Sequence, residues 1–136
     1  MTFEGVCMGN ILLISDRLKP YDDLILEFKH LNHDVVTKRY SAAQHSSIED
    51  QIYDVILYDL KSSFQWNVDF LSPIIRATTS PIYILGTVSE ADEIAYYKVG
   101  IQAVIRTPLN ASLMAIRISS TIALLKKLVV YCVRLN

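Results

Sequence analysis

Two cysteines, Cys7 and Cys132, four glycines and four prolines are all that 136 residues contain of these types. A cysteine pair so far apart builds no disulfide framework, and without C-x-x-C or a Cys/His cluster the chain carries no zinc motif. Sparse Gly and Pro with no biased tract exclude collagen-like and disordered classes. The first ten residues, MTFEGVCMGN, hold no Lys or Arg and no long apolar core, unlike a signal peptide. No apolar run reaches the ~18 residues a membrane span needs. One sign of charge is also missing locally: after Glu93 there is no acid, although Lys98, Arg106, Arg117, Lys126, Lys127 and Arg134 follow. All 14 acids therefore precede residue 94, beneath a near-neutral net charge of −1. Such a split marks either one solvated basic helix face or a partner surface. What is present is apolar mass, 51% of the chain, enough for a single domain of the usual ~100–150 residues. The expectation is a soluble, intracellular, cytoplasmic domain.

Four short apolar runs recur at regular spacing: Ile11–Ile14, Val55–Tyr58, Ile82–Leu85 and Ala103–Ile105. Continuous apolarity, without alternation, is the pattern of strands covered on both faces. A more polar run, Asp34–Tyr40, reads as an edge strand. Helical spacing fills the gaps. Leu24, Phe28 and Leu31 form one stripe; Ser72-Pro73 offers an N-cap followed by a first-turn proline. Ser89 with Asp92 resembles a capping box, and Gly100 suits the end of that helix. Asn110 caps a long last helix, while 41–52 gives only a weak helical signal. Five alternations predict an α/β three-layer sandwich around a parallel sheet. His30 and His33 fall near the first helix's C-terminus, where imidazolium suits the dipole. His45 lies in a polar stretch without a role.

In open parallel sheets, chemistry gathers beyond the carboxyl ends of the strands. Here those ends carry Ser15-Asp16, Asp59, Gly86-Thr87 and Arg106-Thr107-Pro108. Asp16 and Asp59 suit a hard, oxygen-seeking cation such as Mg²⁺; they equally suit loop starts. No glycine-rich phosphate loop follows the first strand, which argues against a nucleotide-binding domain or a flavin carrier, and no nucleophile–base pair suggests an enzyme.

At ILLISD, YDVILYDL, PIYILGT and GIQAVIRTPL, in that order and spacing, the sequence resembles the receiver domain of bacterial two-component response regulators, over residues 10–127. The resemblance implies a flavodoxin-like fold, a five-stranded parallel sheet of order 2-1-3-4-5. It implies phosphoryl transfer from a histidine kinase to Asp59. It implies Mg²⁺ held by an acid pair after the first strand, by Asp59 and by the Lys61 carbonyl, and phosphoryl contacts from a hydroxyl ending the fourth strand and a lysine before the proline. Several of these are replaced. The acid pair is Ser15-Asp16; the hydroxyl position is Gly86, with Thr87 one residue late; the lysine position is Thr107; the aromatic switch position is Val104. Adjacent Arg106 points to the opposite face and cannot stand in. A degenerate receiver is therefore expected, with weak Mg²⁺ binding and weak or absent phosphorylation, acting through dimerisation or partner binding.

The last helix carries the assembly expectation. Its pattern runs from Ala111 to about Leu135, roughly 37 Å at 1.5 Å per residue. Ala115, Ile118, Ile122, Leu125, Val129 and Cys132 repeat at threes and fours like a coiled-coil seam. The expected partner is a second copy joined through this helix. Residues 128–136 would extend the helix as a linker to an output domain beyond residue 136, and residues 1–9 would be an N-terminal extension. Neither a membrane nor a nucleic acid is an expected partner. Trp66 reads either as a partner anchor or as a ring folded back on the domain. Tyr96 and Tyr97 fall on the fourth helix, where at least one must point outward, on a face that suits an interaction role.

Overall fold

The computed structural model describes the backbone of residues 9–45 and 52–135, with side chains for 9–43 and 52–128. Most of the expected N-terminal extension, with Cys7, lies outside the described residues, as do the side chains of His45, Val129 and Cys132. Strands β1 (Asn10–Ile14), β2 (Asp34–Lys38), β3 (Val55–Asp59), β4 (Ile82–Leu85) and β5 (Ala103–Ile105) alternate with helices α1 (Asp22–His30), α2 (Tyr40–His45), α3 (Phe64–Ala77), α4 (Glu90–Lys98) and α5 (Ala111–Leu135). The sheet is parallel throughout, in the order β2-β1-β3-β4-β5.

Alternate strand residues feed two cores. Leu12, Ile14, Ile56, Tyr58, Ile82 and Ile84 meet α2, α3 and α4 on one face. Ile11, Leu13, Val55, Leu57, Tyr83 and Leu85 meet α1 and α5 on the other. That two-sided cover is why β1, β3 and β4 read as unbroken apolar runs.

Helix ends follow their residues. Ser89 Oγ accepts from the Asp92 amide, and Asn110 Oδ1 from the Leu113 amide at 2.9 Å. Gly100 adopts a positive φ of 104°, with Ile101 N–H reaching back to the Tyr96 carbonyl at 3.1 Å, the αL closure that glycine favours. One helix start differs from the expected Ser72-Pro73. Helix α3 begins at Phe64, after Ser63, and runs through Pro73. Asn67, Phe70, Leu71 and Ile74 hold its apolar face across the proline, and burial of that face outweighs the lost amide of one turn. Ser72, expected as a cap, instead donates its hydroxyl to the Val68 carbonyl.

His33 also departs from the cationic, dipole-stabilising role. It is buried, its Nδ1 accepts the Gly9 amide at 2.9 Å and its Nε2 lies 2.7 Å from Ser119 Oγ. An Nδ1 that accepts leaves the neutral Nε2–H tautomer to donate. Burial, reinforced by Lys126 and opposed by Asp54, lowers its pKa from 6.5. Because the folded state disfavours the imidazolium, the stability this site contributes is complete above the unfolded value and declines as pH falls below about 6.5. Urea unfolding at successive pH values is expected to show that decline, and His33→Gln to flatten it.

Candidate functional site

The β1, β3 and β4 carboxyl ends converge as the spacing required, and at their centre lies Asp59, only 1% exposed. Its carboxylate is fully engaged. Arg17 Nε donates to Oδ2 at 2.9 Å and its terminal nitrogen to Oδ1 at 3.1 Å, a two-pronged grip. Tyr21 Oη donates to Oδ1 at 2.5 Å. Ser15 Oγ shares its proton between Oδ2, at 2.8 Å, and the Arg17 carbonyl, at 2.7 Å. Behind it, the Tyr40 hydroxyl donates to the Asp59 carbonyl.

Local sequence explains these positions. Ser15, buried, directly follows β1, and its Oγ also accepts the Arg17 amide at 3.0 Å, turning the chain so that the guanidinium folds over the sheet edge. Pro20 then starts a 3-10 turn, Lys19–Tyr21, that sends Tyr21 into the α1–α5 core with its hydroxyl facing Asp59. Electrostatics agree: the hydrogen bond and charge of Asp59 raise the Arg17 pKa, and burial followed by Asp59 raises that of Tyr21. Both groups stay protonated donors at any physiological pH.

Asp16 is exposed and turned away from this grip. Its Oδ1 accepts the Tyr40 amide at 3.1 Å, and its Oδ2 lies 3.6 Å from the Lys61 ammonium. That ammonium sits 4.9 Å from the Tyr40 ring and 5.1 Å from the Trp66 ring. Trp66 is folded back: it stacks on Phe70 at 5.4 Å and meets Tyr40 edge-on. Lys61, expected to matter for its carbonyl, is placed by its side chain.

The remaining expected residues point elsewhere. Gly86 is buried, and a Cβ built there would lie 2.6 Å from the Leu60 Cβ, so Leu60 occupies the space a hydroxyl residue would need. Thr87 donates to the Thr107 carbonyl at 3.2 Å, tying β4's end to the loop after β5. Thr107 precedes a cis bond to Pro108. Arg106 reaches Glu93 on α4 at 3.3 Å, on the opposite face. Val104 and Tyr97 are linked by a backbone-to-hydroxyl contact of 3.4 Å; Tyr97 is exposed and Tyr96 fully buried.

Do these residues fit a divalent cation? Each Asp59 oxygen already receives two donors, and the two Asp16 oxygens face an amide and an ammonium. A metal ion would have to displace Arg17 or Tyr21 from Asp59, and at Asp16 it would approach the Lys61 ammonium. Among the described residues no three His, Cys, Asp or Glu side chains gather as a metal group. As arranged, the centre does not fit Mg²⁺.

Arg17 and Tyr21 are the functional residues that spacing alone missed. The available signal was a cation directly after Asp16, two residues from Ser15.

No family model and no curated protein matches the chain. Solved structures do. A CheY-like receiver domain protein from Methanospirillum hungatei aligns with a TM-score of 0.74 at 17% identity, covering 89% of this chain and 98% of its own. A receiver domain protein from Clostridium thermocellum aligns at 0.68 and 22%, covering 89% and 99%. A two-component response regulator from Clostridium difficile aligns at 0.71 and 16%, covering 84% and 95%. Strand order, helix placement and these alignments agree: the chain has the flavodoxin-like fold of response regulator receiver domains.

Proposed function

We propose that this domain is a non-enzymatic signalling module that acts by binding another chain, in the first place a second copy of itself, and that phosphoryl transfer to Asp59 is not its trigger. One observation carries the reading: the Asp59 carboxylate is buried and held by Arg17, Tyr21 and Ser15 together. A phosphoryl acceptor must present a free oxygen to the incoming phosphorus in line with the leaving group. Here that oxygen would first have to shed a guanidinium and a phenol. The helpers are absent too, since Thr107 brings no cation and Gly86 no hydroxyl. Losing one such electrostatic donor typically costs about 10²–10³ in rate.

The association half of the reading rests on α5. Of the expected seam, Ile118 and Ile122 are 1% and 0% exposed and pack with Ala115 into the domain's own second core. Spacing of threes and fours cannot tell a helix stripe that covers its own sheet from one that seeks a partner. Among the described residues, the stripe left outside is Leu113, Ile116, Leu124, Leu125 and Leu128.

Incubation with acetyl phosphate and Mg²⁺, followed by intact mass, tests the trigger. Unmodified protein is the expected product, with unchanged oligomeric state. Rapid, stoichiometric labelling at Asp59 would overturn the reading and favour a phosphoryl-accepting switch served by a histidine kinase.

A further inference from the structure

The positive charge that balances Asp16 and Asp59 comes from the chain itself. We propose that Arg17 and Lys61 form an intrinsic counter-ion pair that replaces a divalent metal at this centre and fixes the loops after β1 and β3 without one. The inference deepens the reading above and rests on it only in treating the Asp59 carboxylate as a structural anion.

Charge comes first. Asp16 and Asp59 face Arg17 and Lys61, so these four side chains balance, and a bound metal would add positive charge to a cleft that Lys38 and Arg39 also line. Geometry comes second. The guanidinium grips both Asp59 oxygens in the planar, forked manner that lysine cannot reproduce. The Lys61 ammonium is fixed on three sides, by Asp16 Oδ2, the Tyr40 ring and the Trp66 ring, a placement in which cation–π attraction adds to the ion pair. Connectivity comes third. Arg17 joins the β1–α1 loop to β3, Lys61 joins the β3–α3 loop to β1's end, and Tyr40 contacts both Asp16 and Asp59 from the start of α2. Three loops that a shared metal could tie together are tied here by side chains.

Removing one cation then has a specific consequence. Without the Arg17 guanidinium the cluster becomes net negative, with freed carboxylate oxygens beside Ser15 Oγ, and a divalent ion becomes the simplest way to restore balance. The variant should therefore gain the metal dependence that the natural chain lacks.

Thermal unfolding and Trp66 emission, each in EDTA and in millimolar Mn²⁺ or Mg²⁺, make the test; Trp66 is the chain's one tryptophan and lies against the Lys61 ammonium. Both readouts of the natural protein are expected to be the same with and without metal. Arg17→Ala is expected to melt roughly 5–10 °C lower in EDTA and to recover most of that loss, saturably, on adding Mn²⁺. Arg17→Lys, which keeps a charge, should remain insensitive to metal. A saturable metal response by the natural protein overturns the inference, and so does an Arg17→Ala variant with native far-UV dichroism and no metal response. Should alanine prevent folding, Arg17→Gln serves in its place, and the natural protein's arm decides regardless. The phosphorylation reading is scored separately by intact mass. Metal binding without labelling sinks only the counter-ion pair, and labelling without a metal effect on the folded state sinks only the earlier reading.

Discussion

Replacing Asp59 with alanine is expected to destabilise the domain by about 3–5 kcal/mol, since a buried phenol loses its acceptor, at about 1–3, and hydrogen bonds to a charged group are lost, at about 1.5–3. The sign matters more than the size. Where an acid is kept only to receive a phosphoryl group among other acids, its removal relieves repulsion, and stability holds or rises. Here Asp59 is the shared acceptor for Arg17, Tyr21 and Ser15. Asp59→Ala strands the buried Tyr21 hydroxyl, whereas Ser15 Oγ keeps the Arg17 carbonyl as its acceptor. Arg17 suffers less, because its side chain is 63% exposed and can turn into water. Asp59→Asn keeps the shape and one carbonyl acceptor, but it sets an amide donor against the guanidinium. A loss of about 2 kcal/mol is expected for it, between a neutral and a charged hydrogen bond in scale. Urea unfolding of the three proteins measures both differences. A double cycle with Arg17→Ala then isolates the coupling between the two side chains. An Asp59→Ala variant at least as stable as the natural chain would refute the structural role of the carboxylate.

The fold could be read from the sequence because each element announces itself locally. Buried strands repeat Ile, Leu and Val without alternation, and Ser89, Gly100 and Asn110 bracket their helices within three residues of the groups they satisfy. The strand order came from the resemblance and not from the strands, since pairing of β1 with both β2 and β3 leaves no local trace. Helix α3 shows where a local rule loses: Pro73 reads as a start, yet a buried face running from Asn67 to Ile74 carries the helix past it.

The site was half legible. That Asp16 and Asp59 meet at one sheet edge follows from topology. That Asp59 is already taken depends on Arg17 and Tyr21, 42 and 38 residues away. Their approach is set by a serine turn and a 3-10 turn whose geometry no periodicity encodes. The lost helpers told the same story in the negative. Gly86 looked like an absent hydroxyl, whereas the fold shows a position that Leu60 fills. Lys61 looked like a carbonyl donor and instead holds its ammonium between two aromatic rings.

Helix α5 leads to the second large expected effect: Leu124→Glu with Leu128→Glu turns a dimer into a monomer. The helix runs from Ala111 to Leu135, and among the residues whose side chains are described Ile122 is the last of α5 that the cores enclose. Thirteen residues follow it, about 20 Å at 1.5 Å per residue. Leu113 and Ile116 near the helix start, then Leu124, Leu125 and Leu128, leave an apolar stripe in water. Four leucines per dimer at the two mutated positions, each about half exposed in the monomer, would leave water on association, and that apolar burial is the gain that favours it. Glutamate there removes that gain at positions the monomer does not use, so folding should survive. Ile94→Glu on α4, another exposed apolar position, serves as the control and should leave the dimer intact. Charge supplies an independent signature. Helix α5 has no acid, and Arg117 and Lys127 stand exposed along it, so two copies of the helix bring like charges together whether they run parallel or antiparallel. Salt screens such repulsion, the Debye length shrinking from about 10 Å at 0.1 M to about 3 Å at 1 M. The dimer should therefore tighten as salt rises, opposite to an interface held by salt bridges. Light scattering across a salt series reads both effects. A natural chain that stays monomeric at micromolar concentration, or a dimer untouched by the double substitution, rules out association through this helix.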